Sequence, residues 1–200
     1  MKVKGIYEHL LNALSLVENI EGTAVECGFG NGISAGIITK AINSSEYRDR
    51  DIWLLDSFAG FPEPSDFDIG VNTPHKGLWK VPSEPAYNMK KESRCKIHIV
   101  EGYFEDTLPD EYIGGPIAFL HLDCDLYNSY KTCLTHLFHK VRKGGIILFD
   151  EYKGPTELLN WPGASIAIDE FFKVNNLNQE IIKVTKTDDS SWQRFYTIKQ

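Results

Sequence analysis

Two apolar runs, residues 116–122 and 145–149, most constrain how this chain can fold, because each continues without polar alternation and then ends in acidic residues. Runs of this kind are typical of parallel strands that are buried on both faces. Neighbouring parallel strands end at the same edge of a sheet, where ligands of open α/β sheets bind. We therefore predict that the acids behind the two runs come together at that edge. They are Asp123, Asp125, Asp150 and Glu151.

This group of carboxylates predicts a site for a cation or for a proton transfer. Four carboxylates at one edge repel one another unless a cation or a proton lies between them. Oxygen ligands favour a hard ion such as Mg²⁺, whereas zinc prefers histidine and cysteine. The sequence therefore indicates a hard-metal site, a general base, or both.

Composition and charge exclude several classes of function. With 200 residues the chain is long enough to bury a full core, and we predict a single domain over residues 1–200. The net charge of −7 leaves no basic surface for DNA or RNA, so we expect no nucleic-acid partner. No apolar run approaches the ~20 residues that span a membrane, and no signal peptide is visible at the start. The four cysteines lack metal-site spacing and indicate free thiols in a reducing cytoplasm.

Helix and strand patterns alternate along the chain, which predicts a doubly wound α/β sheet with helices on both faces. The sheet is expected to be mostly parallel, with a C-terminal antiparallel hairpin around residues 188–191. The predicted helices cover residues 6–19, 34–43, 83–92, 128–141 and 164–175, with Ser83 as the N-cap of the third. The predicted strands cover residues 23–27, 51–55, 96–100, 116–122, 145–149, 181–184 and 194–198, with a turn at residues 143–145.

Residues 61–87 form a long irregular segment that holds most of the prolines. Connections longer than ~15 residues in compact domains are usually functional loops or disordered segments. The segment carries Phe67, Trp79 and Tyr87, which favours a lid that packs over a site. The alternative is a surface insertion without a function.

A glycine-rich loop follows the first predicted strand and has the pattern E-x-G-x-G-x-G, with Glu26 ahead of Gly28, Gly30 and Gly32. Glycines let the backbone turn sharply and approach a ligand closely. A dinucleotide site places a pyrophosphate at the helix N-terminus and has no use for a carboxylate there, whereas a cofactor with a cationic amino-acid part would accept one. Asp56 ends the second strand, in position for a ribose diol, so the loop favours S-adenosylmethionine over NAD.

Six colinear segments resemble the macrocin O-methyltransferase family, the metal-dependent sugar O-methyltransferases of macrolide and aminocoumarin antibiotic pathways. The segments are residues 25–32, 55–64, 101–109, 121–127, 144–152 and 161–164. The resemblance implies a class I methyltransferase fold with a Rossmann-like sheet, S-adenosylmethionine as cofactor, and a divalent metal that is usually Mg²⁺. It also implies a small-molecule hydroxyl acceptor, such as a vicinal diol of a sugar, and is compatible with a homodimer.

The resemblance further implies roles for individual residues. Those expected to bind the cofactor are Glu26, Gly28, Gly30 and Gly32 at the methionine end, Asp56 and Ser57 at the ribose, and Tyr103 and Phe104 beside the adenine. Those expected to hold the metal are Asp123, Asp150 and Glu151. Asp125 would be the general base, and His121 would orient Asp123 or the acceptor, or make a packing contact instead.

Two positions depart from the family pattern, which usually has glycine at Cys124 and aspartate at Glu151. Glutamate is one methylene longer, so the metal could shift, bind through water, or bind weakly. Two alternatives stay open at this point. An NAD-dependent Rossmann oxidoreductase predicts nicotinamide binding, and an inactive nucleoside-binding module predicts cofactor binding without turnover.

Overall fold

One seven-stranded sheet organises the part of the chain that the computed structural model describes, which is residues 7–44, 49–112, 114–184 and 193–200. The strands are β1 (Thr23–Cys27), β2 (Ile52–Asp56), β3 (Ile97–Glu101), β4 (Ile117–Leu122), β5 (Val141–Phe149), β6 (Ile181–Lys183) and β7 (Phe195–Ile198). Their order is β3-β2-β1-β4-β5-β7-β6. The first five are parallel, and β7 runs antiparallel between β5 and β6. This arrangement confirms the predicted mostly parallel α/β sheet.

Helices cover both faces of the sheet. They are α1 (Glu8–Leu16), α2 (Ile33–Asn43), α3 (Glu84–Glu92), α4 (Phe104–Thr107), α5 (Tyr127–Leu137), α6 (Pro155–Asn160) and α7 (Pro162–Val174). Successive residues of β1 show the two layers, because Ala24 belongs to the apolar cluster with Leu14 of α1, whereas Val25 belongs to the cluster with Tyr130 of α5. Both faces of the sheet are therefore buried, as its apolar strands predict. No described helix combines the length and apolar character that a bilayer crossing requires.

The boundary between α5 and β5 differs from the prediction. The predicted helix over 128–141 is wrong at its end, because α5 stops at Leu137 and a short 3-10 helix leads directly into β5. Val141, a β-branched residue that favours strands, already pairs with Ile117. The predicted turn around Gly144 is an irregularity inside β5 instead: Gly144 adopts φ 82° and its N–H donates to the Lys199 carbonyl at 2.7 Å.

The two ends of the described fold are close to the predictions but not identical to them. α1 covers Glu8–Leu16 instead of 6–19, and the first residue of the predicted helix lies outside the described residues. The hairpin turn predicted at residues 188–191 also lies outside them. Beside that turn, the Val184 N–H donates to the Arg194 carbonyl at 2.8 Å, and β6 and β7 pair antiparallel.

Three helices, α3, α4 and α6, differ further from the sequence prediction. The short helices α4 and α6 were not predicted from the sequence. Ser83 directly precedes α3, as predicted, but its side chain makes no capping hydrogen bond. Its carbonyl instead accepts the N–H groups of Ala86 and Tyr87.

The long segment 61–87 is anchored to the start of α5. Asp68, only 2% exposed, accepts hydrogen bonds from the N–H and hydroxyl of Ser65. Its other oxygen accepts the Tyr127 N–H at 2.7 Å, which caps α5 from 59 residues away. The Phe67 ring packs on the Tyr127 ring with centroids 4.6 Å apart. These contacts give the segment a defined place beside the strand ends.

Candidate active site

A cavity of about 600 Å³ lies at the carboxyl ends of β1, β2, β4 and β5. A volume of this size lies within the usual range for small-molecule sites. All of the site residues predicted from the sequence line it except Glu26 and Gly32. The acids that follow β4 and β5 are therefore brought together at one edge of the sheet, as the two apolar runs predict.

The three glycines of the loop after β1 are required for different reasons. Gly28 adopts φ 96°, and a Cβ there would lie 1.7 Å from the Asp123 carbonyl oxygen, so the close approach is to the protein's own backbone. Gly32, at φ 75°, packs against the Phe29 ring, which a Cβ would meet at 2.5 Å. Gly30, at φ 51°, has open space around it. The loop thus combines two tightly packed glycines, Gly28 and Gly32, with Gly30, which has free space beside it, and both Gly28 and Gly30 line the cavity.

Asp56, at the end of β2, holds the glycine loop through backbone hydrogen bonds. Its Oδ2 accepts the N–H groups of Phe29 at 2.6 Å and Gly30 at 3.2 Å, and its Oδ1 accepts the Phe58 N–H at 2.7 Å. Beside it, the Ser57 hydroxyl donates to the Gly60 carbonyl at 2.8 Å. Both side chains still line the cavity. Asp56 therefore shapes the loop around the space in which a ribose is expected.

The far wall of this part of the cavity follows β3. Tyr103 and Phe104 both line the cavity, at the start of α4. Gly102 precedes them at φ 149°, and its N–H donates to the Asp56 carbonyl at 3.0 Å. The backbones after β2 and β3 are therefore joined at the position where the sequence predicts the ribose and the adenine.

Glu26 does not face the cavity. It is 1% exposed, and its Oε1 lies 3.0 Å from Nδ1 of His121. The two residues are directly opposed Cα partners in the β1–β4 ladder, so their side chains meet on one face of the sheet. The structure thus places Glu26 behind His121, whereas the sequence predicts it at the methionine end of the cofactor.

His121, Asp123 and Asp150 form a group that could hold a metal ion. In the described part of the chain, one ligand atom from each lies within 4.8 Å of the others. The Oδ1 of Asp150 lies 3.7 Å from His121 Nε2 and 2.5 Å from Arg194 Nε. His9 approaches the same oxygen at 4.0 Å. Two of the three predicted metal ligands are thus brought together, with His121 beside them.

The third predicted ligand, Glu151, makes other contacts. Its Oε2 accepts hydrogen bonds from the Tyr130 hydroxyl at 2.8 Å and from the Asp125 N–H at 3.2 Å. Asp125 adopts φ 58°, a left-handed conformation that is uncommon outside glycine and is found preferentially at functional sites. Glu151 therefore supports the backbone of Asp125, the predicted base.

Burial and mutual repulsion shift the pKa values of these acids. Burial and the nearby Asp150 carboxylate raise the pKa of Asp125 to about 7. The same two causes raise the pKa of Asp123 well above its usual range. Burial, and after it the Asp125 carboxylate, also raises the pKa of Glu151 well above its usual range. The site therefore holds more acidic groups than it can keep ionised without a compensating cation.

The pKa values of Asp150 and His121 shift in the directions that favour an ion pair, down for the acid and up for the histidine. Burial opposes ionisation of Asp150, but the Arg194 guanidinium and His121 hold its pKa well below the usual range. Burial lowers the pKa of His121, but contacts with Asp150 and Glu26 outweigh it and raise the pKa to about 10. The positive groups of the site thus converge on Asp150.

Aromatic side chains form one wall of the cavity. The Phe61 ring is stacked on the Trp79 ring with centroids 6.0 Å apart, and both pack edgewise against Trp161. Trp79 is 60% exposed and adopts φ 63°. An exposed ring in an uncommon backbone conformation at the edge of a cavity is suited to contact a ligand.

A model of the macrocin O-methyltransferase (TylF) family matches residues 7–194. The chain belongs to this family. It is therefore an S-adenosylmethionine-dependent O-methyltransferase, and the NAD-dependent oxidoreductase alternative is set aside.

Sequence relatives of this methyltransferase include two bacterial O-methyltransferases of small molecules. The demethyldecarbamoylnovobiocin O-methyltransferase of Streptomyces niveus is 28% identical over 184 residues, which cover 88% of this chain and 67% of the relative. The mycinamicin III 3''-O-methyltransferase of Micromonospora griseorubida is 24% identical over 183 residues, which cover 86% of this chain and 68% of the relative. This chain thus spans about two thirds of the length of either enzyme.

Solved structures share the fold of this methyltransferase. The O-methyltransferase NovP superposes with a TM-score of 0.75 at 25% identity, covering 96% of this chain and 80% of NovP. The calicheamicin methyltransferase CalS11 superposes with a TM-score of 0.77 at 24% identity, covering 96% of this chain and 78% of CalS11. These likenesses confirm the class I methyltransferase fold.

Sequence reasoning missed three residues that shape this methyltransferase's site. Arg194 was predicted only as a strand residue, yet it pairs with Asp150 and, through Nη1, with Glu157 at 2.6 Å. Its place depends on the insertion of β7 between β5 and β6, which no local pattern indicates. Tyr130 and His9 lie on predicted helices, but the sequence did not indicate that these residues approach the acids, and only the packed structure brings them together.

Proposed function

We propose that this methyltransferase transfers a methyl group to a hydroxyl of a sugar or glycosylated small molecule, with a divalent metal and with Asp125 as the general base. The observation that carries the proposal is the juxtaposition of Asp123 and Asp150, which lie beside Asp125 at the edge of the cavity that the glycine loop lines. Methyl donor, metal and base would then share one space.

The residues around the cavity fit S-adenosylmethionine. Gly30 leaves open space at the loop, and Asp56 and Ser57 line the adjacent edge. Tyr103 and Phe104 offer aromatic surface for an adenine on the other side. We infer that the ribose lies between these two groups of residues, with the sulfonium towards Asp125.

The donor set also fits a hard divalent cation such as Mg²⁺. Asp123 and Asp150 would hold it, since carboxylates are its preferred protein ligands. The raised pKa values of Asp123 and Asp125 are those expected of acids crowded together without a cation between them. When bound, the cofactor would supply the methyl group, and the metal would lower the pKa of the acceptor hydroxyl.

Asp125 is the residue that we expect to take the proton from the acceptor. Asp125 lines the cavity beside the proposed metal ligands, and a bound cation would favour its ionised form, which is the form that accepts a proton. The Glu151 hydrogen bond to its N–H would hold it in place during the transfer. The segment 61–87, anchored through Asp68, would exclude water as a lid.

The acceptor is proposed to bind between the acids and the aromatic wall. Trp79 exposes 60% of its surface there and could stack on the apolar face of a sugar ring or on an aryl group. A vicinal diol would allow two neighbouring oxygens to reach the metal. Two relatives are named as O-methyltransferases of demethyldecarbamoylnovobiocin and of mycinamicin III, and these names support a small-molecule acceptor.

Calorimetric titration with S-adenosylmethionine and S-adenosylhomocysteine tests the cofactor part of the proposal. We expect micromolar binding of both and none of NADH, in the presence and absence of Mg²⁺. A folded sample that binds neither adenosyl ligand would contradict the proposal. An acceptor screen over glycosides with vicinal diols would follow a positive result.

A further inference from the structure

We propose that His121 is the third protein ligand of the metal, through Nε2, and that Glu26 is the positioning residue that orients its ring. The inference rests on the metal site of the proposed function. The family resemblance instead implies that Glu151 is the third metal ligand.

His121 has one ring nitrogen in contact with Glu26, and the other lies near Asp150 without forming a hydrogen bond. Its side chain is 1% exposed, and Nδ1 lies 3.0 Å from Glu26 Oε1. Nε2 is buried and has no hydrogen-bond partner in the described structure. His121 also lines the cavity. A buried polar nitrogen without a partner is unfavourable, so a ligand at Nε2 would satisfy it.

The distances around Nε2 fit a shared cation better than a hydrogen bond. Nε2 and Asp150 Oδ1 are 3.7 Å apart, too far for a hydrogen bond. Two metal–ligand bonds of about 2.1 Å can span up to about 4.2 Å, so one ion can contact both atoms. Asp123 completes a set of three ligand atoms that lie within 4.8 Å of one another, which small side-chain adjustments would bring into coordination.

Glu26 supplies the partner that a metal-bound histidine usually has. By accepting the Nδ1–H, its carboxylate selects the tautomer whose lone pair is at Nε2. The pairing is built into the sheet, because Glu26 and His121 are opposed across the β1–β4 ladder. Metal binding at Nε2 requires a neutral ring, so the ion would replace one proton there.

Glu151 is the rival third ligand, and its contacts assign it another task. Its Oε2 already accepts hydrogen bonds from the Tyr130 hydroxyl and the Asp125 N–H. His9 is a second rival, since its Nε2 lies 4.0 Å from Asp150 Oδ1, but it does not belong to the group of three. Both residues therefore serve as matched controls.

The test is pulsed electron paramagnetic resonance of the 200-residue protein loaded with Mn²⁺, which detects a nitrogen atom bound to the ion. We expect nitrogen coupling in the wild type, and a change in that coupling when the histidines are isotopically labelled. The coupling should disappear in His121→Gln and persist in His9→Gln and Glu151→Gln. In Glu26→Gln it should persist, with Mn²⁺ affinity reduced about 10–100-fold.

The outcomes separate this inference from the proposed function. Wild-type protein that binds Mn²⁺ without nitrogen coupling overturns the role of His121 and leaves a metal site of carboxylates. Coupling that survives in His121→Gln also overturns it. Wild-type protein that binds no Mn²⁺ contradicts the metal part of the proposed function itself. If His121→Gln does not fold, the spectrum of His9→Gln with labelled histidine still decides the question, because coupling that persists there supports His121 and coupling that is lost there overturns its role.

Discussion

The Asp125 N–H donates to Glu151 Oε2 at 3.2 Å, and this bond joins the residues that follow β4 and β5. Asp125 is held in a left-handed conformation at φ 58°, and the same Glu151 oxygen also accepts a hydrogen bond from the Tyr130 hydroxyl. The proposed base is therefore positioned by an acid on the neighbouring strand. A site built in this way depends on both strand ends at once.

Replacing the base should separate binding from chemistry. We expect Asp125→Asn to bind S-adenosylmethionine with affinity close to that of the wild type, because Asp125 is proposed to contact the acceptor hydroxyl. Turnover should fall by about 10²–10⁴, the usual contribution of a general base. Calorimetry and a methyl-transfer assay measure the two quantities on the same sample. Turnover near the wild-type rate would remove Asp125 from the mechanism.

The same substitution should change how stability depends on pH. The pKa of Asp125 is about 7 in the folded protein against an ordinary value of 3.8, so the folded state binds more protons than the unfolded state in this pH range. The contribution of Asp125 to the free energy of unfolding of the wild type should therefore fall as pH rises from about 4 to 7. Asparagine cannot ionise, so Asp125→Asn should gain stability relative to wild type across that range. Urea denaturation of both proteins without metal measures the difference, and a difference that is independent of pH would contradict the assignment.

Two glycines of the loop after β1 should respond very differently to alanine. At Gly28 a Cβ would lie 1.7 Å from the Asp123 carbonyl, so Gly28→Ala must displace the backbone that carries the acids. At Gly30 a Cβ meets nothing within 4 Å, and the cost is that of the left-handed backbone, roughly 1–2 kcal/mol. Chemical denaturation should find Gly28→Ala the less stable by a clear margin. Equal losses would mean that the loop relaxes freely around Gly28.

Replacing Trp79 should weaken binding of the acceptor and leave binding of the cofactor unchanged. With the acceptor found in the screen, we expect Trp79→Ala to raise KM roughly tenfold, since an aromatic contact contributes about 0.5–1.5 kcal/mol beyond its buried area. The Kd of S-adenosylmethionine should not change. Tyr87→Ala is the control, because Tyr87 is exposed in the same segment but does not line the cavity. An unchanged KM in Trp79→Ala would exclude stacking on this ring.

The sequence predicted the edge of the site better than its interior. The apolar runs before Asp123 and Asp150 were sufficient to predict that those acids lie close together. The apolar pattern of each run indicates a parallel strand, and parallel strands end at the same edge of the sheet. The pairing of Glu26 with His121 was not predictable, since it depends on the register between β1 and β4. Asp68 illustrates the same limit: it caps α5 from a distant segment, and only tertiary packing determines that contact.

The most direct test of the proposed mechanism is methyl transfer from labelled S-adenosylmethionine to glycosides with vicinal diols, measured with Mg²⁺, with a chelator, and with Mg²⁺ restored. We expect transfer that stops with the chelator, returns with Mg²⁺, and is lost in Asp150→Ala, which lacks a proposed ligand. Transfer that continues at full rate after chelation, or in Asp150→Ala, would contradict a metal-assisted mechanism.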